Sequence, residues 1–352
     1  MNIRVSLRII GVLLMIFSLA MLPPMGFGLV ARDGSAAPFA SALGLNLIAG
    51  LLLWLPNRHM RTDLKIRDGF LVTALFWIVL GVFGATPFVL TDALQLSVVD
   101  AIFESISGLT TTGATVIVGL DELPQSILLY RQLLQWLGGI GIVVLAVAIL
   151  PMLGIGGMQL YRAESAGPSK DRKLTPRITE TAKALFNIYI GLTAVCAAAY
   201  WLAGMTPFDA VCHAFSTVAI GGFSTHDASM GYFESDAILF ICTVFMVISA
   251  VNFSLHFIAY QRRSLLIYRR DSETTFFAWV ILLAMIATCG TLIATKTLDP
   301  AESLIHGMFQ TVSIATTTGF ATRDFASWPN FLPFLLLMLA FMGGCAGSTG
   351  GG

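Results

Sequence analysis

Three short segments of the chain end in a glycine that follows small or hydroxyl-bearing residues. The closing triplets are Thr111-Thr112-Gly113, Ile220-Gly221-Gly222 and Thr317-Thr318-Gly319. Glycine permits backbone conformations in which successive carbonyl oxygens point to one side and replace the water around a dehydrated cation. One such tripeptide would usually be a turn or a helix end. Three copies at matched positions favour a shared cation site built from backbone carbonyls.

The elements that must position these triplets belong to a membrane protein. The 352 residues are 56% hydrophobic and only 11% charged, with a mean hydropathy of +0.82, whereas about a quarter of the residues are charged in soluble domains. A helix needs about 20 mostly apolar residues to cross a bilayer. Segments that meet or approach this length are residues 7–30, 39–55, 70–90, 128–153, 185–203, 238–260 and 276–294, and an eighth begins at Phe331. We therefore predict an all-α integral membrane protein, and the balanced charge indicates no nucleic-acid surface.

The distribution of basic residues predicts the orientation of the triplets. Lysine and arginine are absent between Arg67 and Arg131 and again between Lys183 and Arg262. Because basic loops remain on the cytoplasmic side, both gaps lie outside, and the N-terminus is cytoplasmic. These gaps hold the first two triplets. A single crossing from Arg270 brings the third triplet to the same outer side.

The chain divides into repeated units of crossing helix, short helix, filter triplet and crossing helix. The short helices run about 13 residues to their glycines, about 20 Å, which is too short to span a bilayer. We therefore predict re-entrant pore helices around a shared pathway, because non-helical backbone at membrane depth must line a cavity or be buried in protein. The predicted parts are a two-helix hairpin (residues 1–68), two pore repeats with their cytoplasmic connectors (69–180 and 181–273), and a third, incomplete repeat (274–352).

Two further positions recur before the final glycines. A serine stands six residues before each glycine, at Ser107, Ser216 and Ser313. A polar residue stands nine residues before it; these residues are Glu104, His213 and Gln310. Since a polar side chain in a membrane must find a partner, we predict that the second set braces the filter from behind.

Acids at the start of two re-entrant helices allow two interpretations. Asp100 and Asp209 could concentrate cations at the mouth of the pathway. They also lie where a carboxylate can cap the free amide groups of a helix N-terminus. We favour capping.

A glycine run follows the last apolar segment. Residues 343–352 contain six glycines, so a helix breaks there, part-way through the membrane. The run could be a helix-packing patch, a phosphate-binding loop or an intramembrane gate. A phosphate loop lacks its lysine and its strand-loop-helix context, and the gate is favoured. The gate residues are Gly343, Gly344, Gly347, Ser348, Thr349, Gly350, Gly351 and Gly352.

The triplets, the N-terminal hairpin and the glycine run resemble those of the Trk, Ktr and HKT superfamily of potassium transporters, most of all its TrkH branch. This resemblance implies a pore of four non-identical repeats, of which the fourth lies beyond Gly352. It also implies potassium as the ion, because all three triplets end in glycine. Further implications are a bacterial inner-membrane location, a homodimer and a cytosolic TrkA-type subunit that binds the nucleotide; this chain itself would need no organic cofactor.

Other functions are weaker alternatives. A potassium symporter coupled to protons or sodium would use ionisable residues at the midplane, and the candidates are Arg131, His256 and Glu104. A membrane scaffold would leave the repeats unexplained. No nucleophile-base pair indicates an enzyme. The five cysteines are interpreted as packing residues. His226 and Asp227 are a weak candidate for a metal site. The basic connector of residues 161–183 is interpreted as a solvated loop or as a docking surface for a regulator or anionic lipid.

Overall fold

The computed structural model describes residues 3–59, 66–144, 178–329 and 331–350. Within these ranges all regular structure is helical and no β-strand is present. Five helical segments are long and apolar enough to cross a membrane, and a bent helix pair would make a sixth. The predicted all-α architecture of apolar helices is therefore confirmed for the described part of the chain.

The chain forms two compact units, and the described part of the first lies within Met1–Thr110, Ala114–Ala166 and Thr175–Lys183. Its helices are α1 (Ile3–Ser18), α2 (Leu22–Ala31), α3 (Ala36–Trp54), α4 (Ile66–Gly84), α5 (Thr86–Leu90), α6 (Val98–Leu109) and α7 (Gln125–Val144). Helices α1 and α2 join through a single 3-10 turn and make one 29-residue candidate span. The predicted hairpin corresponds to α1, α2 and α3.

Small residues allow close helix packing in this unit. A methyl group on Gly11 of α1 would lie 2.7 Å from the carbonyl oxygen of Gly50 on α3. A methyl group on Gly138 of α7 would overlap the carbonyl oxygen of Leu109 at the end of α6. Helices in membranes associate through such contacts because apolar side chains gain little by leaving lipid. The close approach at Gly138 is a helix-packing contact of this kind.

The predicted crossing at residues 128–153 is helical from Gln125 to Val144. The helix is kinked at Gly141, where φ is 56° and ψ is −170°. Residues 145–153 lie outside the described residues, as do residues 161–177 of the basic connector.

The second unit includes Thr111–Gly113 and Ala184–Gly352. Its helices are α8 (Ile178–Leu202, of which the larger part belongs here), α9 (Pro207–Ala219), α10 (Asp236–Ser249), α11 (Phe253–Arg262), α12 (Leu266–Arg270), α13 (Ser272–Ala294), α14 (Pro300–Ala315) and α15 (Leu332–Ala340). The first filter triplet thus belongs to the same compact unit as the other two, although its pore helix α6 does not.

The prediction of one continuous crossing at residues 238–260 is wrong. Helix α10 ends at Ser249, α11 begins at Phe253, and the two helices meet at 93°. The break contains the polar residue Asn252, but the segment as a whole is apolar enough to pass as one span, so its hydropathy gives no sign of the bend. The bend is stabilised by polar contacts that depend on residues distant in the chain.

Candidate cation filter and its gate

Each triplet follows a short helix almost immediately. Helix α6 ends at Leu109, α9 at Ala219 and α14 at Ala315. The backbone amides of the triplets turn back towards these helices: Gly221 donates to the Ser216 carbonyl at 2.8 Å, and Thr318 donates to the Ser313 carbonyl at 2.9 Å. Because helix C-termini carry partial negative charge, they favour a cation beside the triplets.

The three triplets share one unusual backbone conformation. The first residue is left-handed each time, with φ of 55° at Thr111, 55° at Ile220 and 64° at Thr317. The final glycine is left-handed as well, with φ of 77°, 79° and 82° in chain order. The middle residues do not share this positive φ. Such alternation turns successive carbonyls to the same side, as a carbonyl-lined cation site requires.

A left-handed threonine or β-branched isoleucine is strained, at a cost of about 1–3 kcal/mol per residue. The strain recurs at the same position in all three repeats. It therefore reflects a conformation that the surrounding structure imposes on each triplet.

Neighbouring triplets pack against each other through carbonyls and glycines. A methyl group on Gly113 would overlap the carbonyl oxygen of Gly221 and lie 3.6 Å from that of Thr318. A methyl group on Gly222 would overlap the carbonyl oxygen of Thr318. The middle carbonyl of one repeat thus lies against the glycine of the preceding repeat, which brings all three triplets to one site.

Gly319 differs from the other two glycines. Among the described residues, nothing lies within 4 Å of a methyl group placed on it. Its φ of 82° is nevertheless the same. The third triplet therefore shares the backbone conformation of the other two, but no described carbonyl packs against its glycine in the same way.

Two of the three serines that stand six residues before the glycines bind the chain just after the glycine. The hydroxyl of Ser107 donates to the Ala114 carbonyl at 2.6 Å, and that of Ser313 donates to the Phe320 carbonyl at 2.6 Å. Ser216 is fully buried at the matching position. Each of these two bonds connects a pore helix to the residue that follows the filter glycine.

The polar residues nine positions before the glycines bind the chain two or three residues after them. Glu104 accepts from the hydroxyl of Thr115 at 2.9 Å and from the amide of Val116 at 3.1 Å. Nε2 of His213 lies 3.0 Å from the Ser224 hydroxyl, and the Thr322 amide donates to Gln310 at 3.4 Å. The predicted bracing contacts are thus present in every repeat, and each uses different chemistry.

The brace of the first repeat is an ion pair. Nε of Arg131 donates to Glu104 at 2.8 Å, and both side chains are fully buried. A second guanidinium nitrogen of Arg131 donates to the Thr115 hydroxyl at 3.1 Å. The sequence predicted Glu104 as a brace and named it with Arg131 among the midplane charges. It did not predict that the two pair, and it assigned no role to Thr115 or Ser224. The recurrence of a hydroxyl residue two positions after Gly113 and Gly222 is the signal that could have identified them.

The interpretation of the outer acids as helix caps needs correction. The cap of α6 is Ser97, whose hydroxyl oxygen accepts from the Asp100 amide at 3.2 Å and whose hydroxyl donates to the Asp100 carboxylate at 2.7 Å. Thr206 and Asp209 repeat this arrangement on α9 at 3.1 Å and 2.7 Å. The carboxylates therefore stabilise the cap residues rather than capping the helices themselves.

Asp209 also binds the loop that follows the second triplet. Thr225 donates to its carboxylate at 2.8 Å, and Nε2 of His226 lies 3.4 Å away. Burial raises the pKa of the Asp209 carboxyl, but its contacts with His226, Thr206 and Thr225 outweigh burial, and the pKa lies well below its usual range. This carboxylate is ionised and fixed at neutral pH.

The metal-site interpretation of His226 and Asp227 has no structural support. The described residues contain no group of three metal-binding side chains, and His226 instead stacks on Tyr232 at a ring distance of 3.4 Å. The five cysteines are free and buried, as expected for packing residues.

The glycine run lies against the residues that precede the second and third triplets. Helix α15 ends at Ala340, and Gly343 and Gly347 are left-handed, with φ of 67° and 80°. The Thr349 hydroxyl donates to the Val218 carbonyl at 2.8 Å, and a methyl group on Gly350 would lie 3.3 Å from the Thr316 carbonyl. Gly351 and Gly352 lie outside the described residues.

This combination of repeats, filter conformation and broken helix matches a known family. The TrkH family profile, described as a cation transport protein, matches residues 37–352. The chain belongs to the TrkH family. Membership of this family makes the chain a membrane transport protein rather than an enzyme.

Individual members of the TrkH family are similar over the whole chain. Identity is 59% over 352 residues to the Trk system potassium uptake protein TrkH of Halomonas elongata, covering 100% of this chain and 73% of that protein. It is 53% over 353 residues to the protein of the same name from Escherichia coli K12, with the same coverage. The crystal structure of the potassium transporter TrkH from Vibrio parahaemolyticus aligns with a TM-score of 0.89 at 54% identity, covering 100% of this chain and 72% of that one.

Proposed function

We propose that this chain takes up potassium through a filter formed by its three triplets, as a pore subunit of a Trk-type system. The proposal depends on the packing between neighbouring triplets. The Gly221 carbonyl lies against Gly113, and the Thr318 carbonyl lies against Gly222. Carbonyls held this closely can replace the hydration shell of potassium. The printed names of the relatives, potassium uptake proteins, support the same ion.

Permeation through this filter is channel-like. A coupled transporter needs ionisable groups that are free to change partners at the midplane. Glu104 and Arg131 instead bind each other with both side chains fully buried. His256 binds the Ile248 carbonyl at 3.0 Å and the Tyr268 hydroxyl at 2.8 Å. These contacts favour a channel over a symporter coupled to protons or sodium.

The glycine run gates the pathway from below. Its contacts with Val218 and Thr316 bring it within reach of the residues that precede the second and third triplets. The subunit forms a homodimer in the bacterial inner membrane, with a cytoplasmic N-terminus, and binds a cytosolic TrkA-type nucleotide-binding subunit.

Flux measurements on the complete natural protein in liposomes test this function. We expect potassium flux to persist with no proton gradient and no sodium, which separates a channel from a symporter. Gly113→Ser should relax the discrimination of potassium over sodium, because the side chain overlaps the Gly221 carbonyl. Gly290→Ala is the matched control, since a methyl group there meets nothing within 4 Å in the described structure. An unchanged potassium-to-sodium ratio in Gly113→Ser would refute the filter assignment.

A further inference from the structure

The break between α10 and α11 leaves backbone groups that a continuous helix would pair. In an α-helix, the amide of residue i donates to the carbonyl of residue i−4. The Phe253 amide would therefore bind the Ser249 carbonyl, and the Ser254 amide would bind the Ala250 carbonyl. The 93° bend separates these partners. Inside a membrane such groups need other partners, because lipid offers none.

The glycine run supplies most of these partners. The Cys345 amide donates to the Ala250 carbonyl at 2.8 Å, and the Phe253 amide donates to the Gly347 carbonyl at 3.0 Å. The Thr349 amide lies 3.5 Å from the Ser249 carbonyl. The run is thus bonded to both sides of the break.

Side chains complete the arrangement at the break. The Asn252 carboxamide accepts from the Ser254 amide at 2.8 Å, which satisfies the fourth group. Oδ1 of the same carboxamide would lie 3.2 Å from a methyl group placed on Gly347, which is closer than ordinary van der Waals contact. Since a carbonyl only accepts, His256 donates from Nε2 to the Ile248 carbonyl across the bend.

Glu273 holds the middle of the run. Its carboxylate, in the first turn of α13, accepts from the Ala346 amide at 2.7 Å. This is a charge-assisted bond, which is stronger than one between neutral groups. A residue at the start of α13 therefore positions a loop 73 residues away in sequence.

We propose that Glu273 and the α10–α11 break form a latch that holds the glycine run in its closed position. Four of the groups freed by the break, which are the carbonyls of Ser249 and Ala250 and the amides of Phe253 and Ser254, form two i to i−4 pairs in a continuous helix. When the run leaves, α10 and α11 straighten and these groups pair within one helix. Opening therefore replaces the hydrogen bonds between the break and the glycine run with hydrogen bonds inside one continuous helix. The helix straightens and the run moves in the same step.

This latch rests on the proposed gating role of the run. Shortening the run by deletion of residues 347–350 tests that role separately. If this deletion leaves potassium flux unchanged, the gate itself is wrong. If it raises flux while the latch variants below behave like the wild type, the gate stands and the latch alone is refuted.

A reversible crosslink tests the latch most directly. In the complete natural protein in liposomes, Ala250→Cys places a thiol beside the native Cys345, whose amide binds residue 250. We expect an oxidant to form the disulfide and reduce potassium flux roughly tenfold, and a reductant to restore it. Ala250→Cys combined with Cys345→Ser is the control that oxidation leaves unchanged. Full flux through crosslinked protein, or no crosslink under oxidising conditions, would overturn the proposal.

Substitutions at Glu273 separate positioning from a general loss of structure. Glu273→Ala removes the acceptor of the Ala346 amide. We expect potassium flux in the absence of a regulator to rise roughly tenfold, because loss of a charge-assisted hydrogen bond shifts the equilibrium between closed and open positions by about that factor. Glu273→Gln keeps an oxygen acceptor and should restore most of the closed behaviour. Glu234→Ala, at an exposed glutamate in the same unit, is the matched control. Equal flux in Glu273→Ala and the wild type would contradict the latch.

Discussion

The carbonyl oxygen of Thr318 occupies the position where a side chain on Gly222 would begin. Gly222 also has a φ of 79°, which L-residues with a side chain rarely adopt. Two independent constraints thus require glycine at this position of the second triplet. The contact connects the second repeat to the third at the level of the filter.

Gly222→Ala should therefore impair permeation strongly. The methyl group must displace the Thr318 carbonyl, which the proposed function assigns to ion coordination, and we expect potassium flux to fall at least about tenfold, equivalent to about 1.4 kcal/mol. Flux into liposomes, normalised to the amount of folded protein, provides the measurement. Gly191→Ala, at a helical glycine with open space around it, should retain wild-type flux. Comparable flux in both variants would contradict the carbonyl-glycine contact.

Ser313→Ala should destabilise the third triplet. The hydroxyl of Ser313 donates to the Phe320 carbonyl at 2.6 Å, and both residues are fully buried. An unsatisfied buried carbonyl costs about 1–3 kcal/mol. We expect a lower midpoint of thermal unfolding in detergent and a lower potassium-to-sodium flux ratio. Ser313→Thr keeps the hydroxyl and should recover the ratio if the bond, rather than the size of the side chain, is what matters.

Replacing only one member of the Glu104–Arg131 pair should lower the free energy of unfolding more than replacing both members together. Glu104→Gln leaves the buried guanidinium without its counter-charge, and Arg131→Leu leaves the carboxylate without its own; each should cost about 3–5 kcal/mol. The double variant should cost less than the sum of the single changes, because no buried charge remains unpaired. Unfolding in detergent gives the three free energies. Additive effects would show that the two side chains do not depend on each other.

The ionisation of Asp209 should make stability depend on pH. The pKa of the Asp209 carboxyl is depressed in the folded protein, so the ionised carboxylate contributes to the free energy of unfolding. This contribution is fully present above the usual carboxyl pKa of about 4. It is lost as the pH falls below that value towards the pKa of the folded protein. At pH 7, Asp209→Asn should have a lower unfolding midpoint than the wild type. At pH 3 this difference between the two proteins should be smaller. Asp92→Asn, in an exposed loop, is the control. An identical pH profile for Asp209→Asn and the wild type would contradict a fixed, ionised Asp209.

Much of the site follows from spacing within single repeats. The serine at position −6 and the polar residue at −9 lie on pore helices that lead directly into the triplets, so their distances to the glycines are local quantities. The bracing prediction for Glu104, His213 and Gln310 therefore agrees with the contacts in the structure. The capping prediction was correct about the location of Asp100 and Asp209 and wrong about which side chain meets the helix amides. Ser97 and Thr206 occupy the N-cap position, and their hydroxyl oxygens accept from the amides of the two aspartates at the third helical position.

The sequence alone determined the membrane class and located the three glycine-ended triplets and the glycine run, because hydropathy and repeat spacing are local properties of the chain. Only the tertiary structure decided that Gly221 lies against Gly113 and Thr318 against Gly222, and that the apolar segment 238–260 is broken. The physical reason is hydrogen bonding between distant residues. A helix break at residues 250–252 is tolerated in a membrane because residues 345–349 and the Asn252 carboxamide form hydrogen bonds with its backbone groups. Residues 345–349 are about 95 residues away in the chain, so no local sequence pattern predicts these bonds.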